Sequence, residues 1–277
     1  MLEFLTLDGL APTVLIALFF LAMLAGFVDS IAGGGGLLVI PVLFAVGLTP
    51  AQVFGTSKLG ACFGSFSASM TFIRRGEVQV RPMLGIIAAT FIGSVLGALT
   101  LQVIDAGILR DLIPFLLIAI ALYMLFAKNA GAFETHRRLS EIAFALIFGI
   151  GLGFYDGFFG PGTGSFWALA YVTLAGYTLR RATGHAKVVN FTSNVAAFIV
   201  LAAGGHVLWG LGVILAAGQF IGARFGAKLV LSKGAKLVRP MLVVMSLAIT
   251  ARLLAQDPEH PLSRLVLSIW QSVGGSV

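Results

Sequence analysis

Residues 25–41 read AGFVDSIAGGGGLLVIP: an aspartate, a serine and four consecutive glycines set inside the most apolar part of a hydrophobic chain. The segment that follows, Leu37 to Leu48, is about 18 Å long as a helix at ~1.5 Å per residue, against a hydrocarbon core of about 30 Å. It is too short to cross a bilayer alone. Extended at roughly 3.3 Å per residue, residues 33–36 add about 13 Å. The pattern therefore predicts a broken crossing, a glycine strand followed by a half-helix. Non-helical backbone survives at that depth only where protein or a wet cavity satisfies its N–H and C=O groups, so the glycines mark a cavity. A half-helix that starts there aims unpaired N–H groups and the positive end of its dipole into the cavity, and the missing Cβ atoms let an anion reach the backbone. Gly34, Gly35 and Gly36 are accordingly candidate substrate-binding residues. Close helix packing is the competing reading of a single glycine run.

The rest of the chain agrees with a membrane setting. Its 277 residues have a mean hydropathy of +1.02, 58% hydrophobic residues and 10% charged ones. That composition supplies several bilayer crossings and predicts an all-α polytopic membrane protein. The net charge of +7, from 18 basic and 11 acidic residues, belongs in cytoplasmic loops rather than on a nucleic-acid surface. The expected partners are membrane lipid and a small-molecule anion, with no nucleic acid; nothing sets an oligomeric state. The opening MLEFLTLDGLAP carries Glu3 and Asp8 but no basic residue, so it lacks the positive region of a cleavable signal and the first hydrophobic segment is expected to be kept. The single cysteine, Cys62, allows no internal disulfide and no cysteine metal cluster. No metal or cofactor is expected.

Apolar runs between charges fall into five segments (12–29, 37–48, 51–73, 83–104, 109–127) and five more (141–156, 165–177, 182–203, 207–231, 236–255). The charged stretch KNAGAFETHRRLSE, 128–141, joins them. At an offset of 127, Gly26, Phe27, Asp29 and Gly33 meet Gly153, Phe154, Asp156 and Gly160. At 129, Thr49, Gly55, Lys58, Gly76 and Val78 meet Thr178, Gly184, Lys187, Gly205 and Val207, and FIG at 91–93 recurs at 220–222. The register argues for an internal duplication: a first repeat at 1–127, a cytoplasmic linker at 128–140, a second repeat at 141–255 and a tail at 256–277. Basic loops orient it. Arg74, Arg75, Arg81, Lys128, Arg137, Arg138, Arg180, Arg181, Lys228, Lys233, Lys236 and Arg239 read as inside, the Asp105, Arg110, Asp111 loop and His206 as outside. With an odd number of segments per half, the repeats are inverted, an architecture common among secondary transporters.

The second half repeats the opening device with Asp156, then GPGTG at 160–164, then a short segment; Gly162 and Gly164 join the candidates. Two such tips entering from opposite sides would meet near the middle. A lysine inside a spanning segment costs about 2.5–3.5 kcal/mol on insertion scales, which implies a partner or a ligand. Lys58 and Lys187 stand at matching repeat positions. Thr183, Lys187, Asn190 and Asn194 share one helical face, and Lys58, Ser65 and Ser69 form its counterpart. Cations, hydrogen-bond donors and two helix N-termini describe a site for a small oxyanion. Alternatively the lysines pair with Asp29 and Asp156 to lock the fold; both hold if such a pair opens when an anion binds. The aspartates either cap the broken backbone or act in gating or coupling, where His185 is a further candidate. Arg224 is expected to snorkel, and Trp167, Trp209 and Trp270 to anchor or pack. No nucleotide loop, nucleophilic-serine motif or HExxH is present, which argues against an intramembrane enzyme.

AGFVDSIAGGGGLLVIP, GTSKL at 55–59, GFYDGFFGPGTGSF at 153–166 and ATGHAKVVNFTSN at 182–194 resemble the TauE/SafE family of sulfite and organosulfonate exporters, particularly its bacterial inner-membrane branch. The resemblance covers nearly the whole chain. It implies a multi-pass inner-membrane transporter of sulfur-containing anions such as sulfite, sulfoacetate or related sulfonates, commonly moved outward. Ser57 and Gly60 stand where relatives often carry Asn and Gln. An anion channel using the same site is the alternative reading.

Overall fold

The structure, a computed structural model, describes residues 12–103 and 133–234, together with 236–238, 240, 241, 243, 244, 247 and 251. Every described element is helical. In chain order these are α1 (Pro12–Ala32), α2 (Gly35–Ala45), α3 (Pro50–Arg74), α4 (Leu84–Leu101), α5 (Glu141–Phe158), α6 (Thr163–Thr173), α7 (Leu179–Ala203) and α8 (Trp209–Lys233). Five described spans are long and apolar enough to cross a membrane: α1, α5, α7, α8, and α4 with its lead-in turn from Arg81. The protein is an all-α polytopic membrane protein. The expected segment at 109–127, the Asp105–Asp111 loop, Lys128, Arg239, Trp270, most of 236–255 and the tail lie outside the described residues.

Helix lengths repeat across the two halves. The short helices α2 and α6 have 11 residues each, and α3 and α7 have 25 each. Packing repeats as well: α1 lies against α8 as α5 lies against α4, and α3 packs on both α7 and α8. The glycines of the repeated FIG motif serve these contacts. A Cβ on Gly222 would lie 1.8 Å from the Met23 carbonyl oxygen, and one on Gly93 would lie 2.3 Å from that of Ile150. Membrane helices approach this closely only through residues without bulk.

One end of the bundle collects the basic loops. Arg180 pairs with Glu77 and donates to the Leu231 carbonyl, Arg181 pairs with Glu134 at 2.7 Å, and Arg137 with Glu141 at 3.4 Å. The other end joins the start of α3 to the α7–α8 turn, where the Leu208 N–H donates to Thr56 Oγ1 and Gly55 rests against His206. The end of α3 thus meets the start of α7, and the two helices run in opposite directions. This is the arrangement expected of an inverted duplication.

The glycine run differs from its expected form. Only Gly33 and Gly34 lie outside helices; α1 continues three residues past Asp29, and Gly35 and Gly36 already belong to α2. The reason is local hydrogen bonding. The Gly33 N–H donates to the Asp29 carbonyl at 2.7 Å, Gly33 takes the left-handed φ of 75° open to glycine, and the chain reverses at once. Asp29 Oδ1 then accepts the Gly35 N–H at 3.2 Å and caps α2. The half-helix is therefore re-entrant: Val39 and Leu43 pack back along Leu18, Ala22 and Ala25 of α1. From the opposite end, α6 folds back along α5, with Tyr171 5.1 Å from Phe144. The two hairpin tips meet. A Cβ on Gly33 would sit 2.3 Å from Gly164 Cα, and Ser165 Oγ donates to the Ala32 carbonyl at 2.6 Å.

Candidate functional site

Between the hairpin tips α3 and α7 cross, each carrying a buried lysine. Lys58 Nζ donates to Asp156 Oδ1 at 2.9 Å, to the Asp156 carbonyl at 2.7 Å and to Asn194 Oδ1 at 3.0 Å. Lys187 Nζ donates to Asp29 Oδ2 at 2.9 Å and to the Asp29 carbonyl. Each lysine reaches the aspartate of the opposite half, in the last turn of a helix that stops at a glycine break. Carbonyls at such a helix end carry the negative end of the dipole, so an ammonium group there meets a free lone pair as well as a carboxylate, beside the Gly33 N–H in the case of Asp29.

The two aspartates are held unequally. Asp156 is buried; its Oδ1 also accepts from Thr163 Oγ1 at 3.2 Å, and Oδ2 accepts from Ser193 Oγ. The Asp29 side chain is 22% exposed, and its second oxygen is met by the Gly35 amide.

A cavity of about 50 Å³ lies between the tips, walled by Gly33, Gly36, Gly160 and Gly164, with Ser57, Lys58, Asn190, Asn194 and Gln219 around them. Gly36 and Gly164 are the second residues of α2 and α6. Among the described residues their amides have no hydrogen-bond partner. The buried Asn190 Oδ1 has none either. The space suits a group of a few atoms and is well below the ~300–1,000 Å³ of typical organic-ligand pockets. Among the described residues no group of three His, Cys, Asp or Glu side chains could hold a metal ion.

Opposed helix starts, glycine-lined breaks and paired intramembrane charges meet at this cavity, and comparison with known proteins gives the chain's family. Residues 18–253 match the family described as "Sulfite exporter TauE/SafE". The chain belongs to the TauE/SafE family. It is 52% identical over 244 residues to the "Probable membrane transporter protein YfcA" of Escherichia coli K12, covering 88% of this chain and 91% of that one. It is 46% identical over 256 residues to the "Probable membrane transporter protein ORF9" of a Sinorhizobium species, covering 92% and 98%. A "Probable membrane transporter protein" of Haemophilus influenzae is 48% identical over 236 residues, covering 85% and 92%. No solved structure matches. This TauE/SafE protein is a multi-pass membrane transporter of the bacterial inner membrane.

Most residues singled out from the sequence converge. Lys58, Asn190, Asn194, Asp29, Asp156, Gly36 and Gly164 line the TauE/SafE cavity, and Lys187 stands at its edge on Asp29. Gly34 and Gly35 form the break and the cap, while Gly162 caps α6 with a φ of 82°. His185 does not line this cavity. Two residues from Lys187 on α7, it turns to the opposite side, where its Nδ1 lies 2.8 Å from the Arg181 carbonyl and its ring 4.7 Å from Tyr177. Ser65 and Thr183 donate to carbonyls of their own helices and leave the cavity to Ser57 and Ala61. Trp167 is a core residue. Thr163, Ser193 and Gln219 also border the ion pairs and the cavity; Gln219 is a lone polar residue in an apolar run, whereas Ser193 lies between Thr192 and Asn194 and Thr163 inside the glycine turn, where the sequence does not set them apart.

Proposed function

We propose that this transporter moves small sulfur-containing anions outward, sulfite first, binding them between the tips of α2 and α6 beside Lys58 and Lys187. The family description and the relatives' names support transport; the cavity supports a small oxyanion. In the closed arrangement the volume suits sulfite, and sulfoacetate or larger organosulfonates need the tips to part.

The observation that carries this reading is the charge balance of the site. Two lysines and two aspartates cancel in pairs, so the cavity has donors but no net charge to give. An anion must take one lysine from its aspartate, and the desolvated carboxylate left behind needs a proton or an exit to water. Lys187–Asp29 is the pair that can exchange, because Asp29 is partly exposed and held by fewer donors. Gating and coupling therefore fall to Asp29, with Asp156 as the fixed counterpart, and His185 lies too far round α7 to relay a proton to them.

The test is flux of labelled sulfite, sulfate, sulfoacetate and taurine in vesicles reconstituted with the purified protein, with and without a pH gradient. The expected result is accumulation of sulfite against its own gradient when a pH gradient is imposed. Flux that only runs downhill identifies a channel, and no flux of any sulfur anion overturns the proposal.

A further inference from the structure

A second cavity, of about 380 Å³, opens between α4, the start of α5 and the α6–α7 turn, and shares no residue with the central one. We propose that it is a separate binding site on the cytoplasmic face for an organic oxyanion, an acidic head on an apolar body. This does not rest on the transport reading above.

Its polar wall is built from both sides of the α6–α7 turn. The rings of Tyr171 and Tyr177 stack at 5.7 Å with an 8° tilt, and His185 leans on Tyr177. The Arg181 guanidinium lies 4.6 Å over the Tyr177 ring, and Arg137 Nη2 reaches the Tyr177 hydroxyl at 3.5 Å. Glu134 and Glu141 each engage one nitrogen of these arginines, and a guanidinium has five N–H donors, so donors remain on both. Tyr171 is 3% exposed, lines the cavity, and its hydroxyl has no partner among the described residues. A buried hydroxyl is costly to leave unpaired, and a ligand oxygen would satisfy it.

The facing wall is apolar and irregular. Residues Ala145–Gly149 of α5 form a π-helical turn, a rare widening that recurs at functional sites, and Ala145 and Leu146 from it meet Met83, Ile86 and Phe144 at the cavity. Guanidinium forks with a hydroxyl recognise a carboxylate, sulfonate or phosphate, and the aromatic and aliphatic walls take its body. The volume is that of a small organic ligand, whereas the central cavity holds only a few atoms. An occupant would touch α5 and α7, the helices that carry Asp156 and Lys187. The ligand has two sources, a soluble cytoplasmic anion or the head of an anionic lipid, since Ile142 and Leu146 beside the mouth are exposed.

The test uses the full protein in phosphatidylcholine nanodiscs and titration calorimetry with three probes: benzenesulfonate, short-chain phosphatidylglycerol and neutral benzamide. Saturable one-site binding of either charged probe, with none for benzamide, is expected, and the tighter charged probe identifies the source. Arg181→Gln should weaken it at least about tenfold, and Tyr171→Phe, which keeps the ring stack, roughly fivefold, as for loss of charge-assisted and neutral hydrogen bonds. Lys187→Gln in the central cavity should leave it unchanged. Absence of saturable binding for both charged probes overturns the proposal, as does equal affinity in wild type, Arg181→Gln and Tyr171→Phe, or loss through Lys187→Gln.

Discussion

Lys58 and Lys187 occupy equivalent turns of α3 and α7, and each donates to an aspartate and to that aspartate's own carbonyl. The surroundings separate them. Beside Asp156 the first residue of α6 is Thr163 and the α7 position facing the carboxylate is Ser193, and both donate to it. Beside Asp29 the first residue of α2 is Gly35, which offers only its amide, and the repeat counterpart of Ser193 is Gly64. The two halves share one skeleton, and their side chains make one ion pair a closed strut and leave the other open at its rim. On the proposed function, the first is a fixed charge that holds the crossing helices together and the second a charge that a substrate can claim.

The sharpest way to break this comparison is to remove a carboxylate charge from each pair in turn. Asp156→Asn should cost about 3–5 kcal/mol of stability, because it strands the buried Lys58 ammonium. Thermal unfolding in detergent reads the loss, and a second change, Lys58→Gln, should recover much of it. Asp29→Asn should cost less, since the Asp29 side chain is 22% exposed and has fewer donors to lose, although Lys187 is itself buried. Equal losses would mean that the two pairs are structurally equivalent.

A smaller effect is expected on the ligand side. Lys187→Gln keeps a donor and removes the charge, so sulfite affinity should fall by the roughly 1.5–3 kcal/mol of a charge-assisted hydrogen bond, about tenfold to a hundredfold. The protein should remain folded, and Lys187→Arg should retain part of the affinity. Unchanged binding and transport by Lys187→Gln would remove this lysine from the anion site.

The smallest effect separates anion contact from packing among the glycines. A Cβ on Gly36 would meet only Ile40 Cδ1, at 3.5 Å, whereas one on Gly33 runs into Gly164 at a positive φ, and one on Gly35 lies 2.8 Å from the Ala25 carbonyl. Gly33→Ala and Gly35→Ala therefore test folding. Gly36→Ala adds a methyl beside a free amide without a clash, so stability should hold while sulfite affinity drops about fivefold, the value of one ordinary hydrogen bond. Normal binding by a folded Gly36→Ala protein would show that the amide does not meet the anion.

Much of the candidate site is legible in the sequence, for a physical reason. Polar and flexible residues are expensive in a bilayer, so Asp29, Asp156, Lys58, Lys187, Asn190, Asn194 and the glycine breaks stand out against an apolar background. The aspartates and lysines recur at offsets of 127 and 129, which groups them, whereas Asn190 and Asn194 face Ala61 and Ser65. His185 stands out by the same chemistry but faces the other cavity, because residues two apart on a helix point roughly 200° apart. Ser193 escaped notice because serines bond their own helix so often, as Ser65 does, that position along the chain does not reveal a cross-helix partner.

Hydropathy, basic loops and internal repetition are properties of the covalent chain, and they determined the all-helical membrane class and marked the residues that line the candidate site. Which lysine meets which aspartate was decided only in three dimensions: hairpins entering from opposite faces bring each α1-type helix end to the long helix of the other half, exchanging partners across 98 and 158 residues. The length of the glycine break was decided there too, since the Gly33 N–H finds the Asp29 carbonyl and the Gly35 N–H finds its carboxylate, leaving two residues rather than four outside helices. Local chemistry chose the residues, and only the meeting of the two tips could choose their partners.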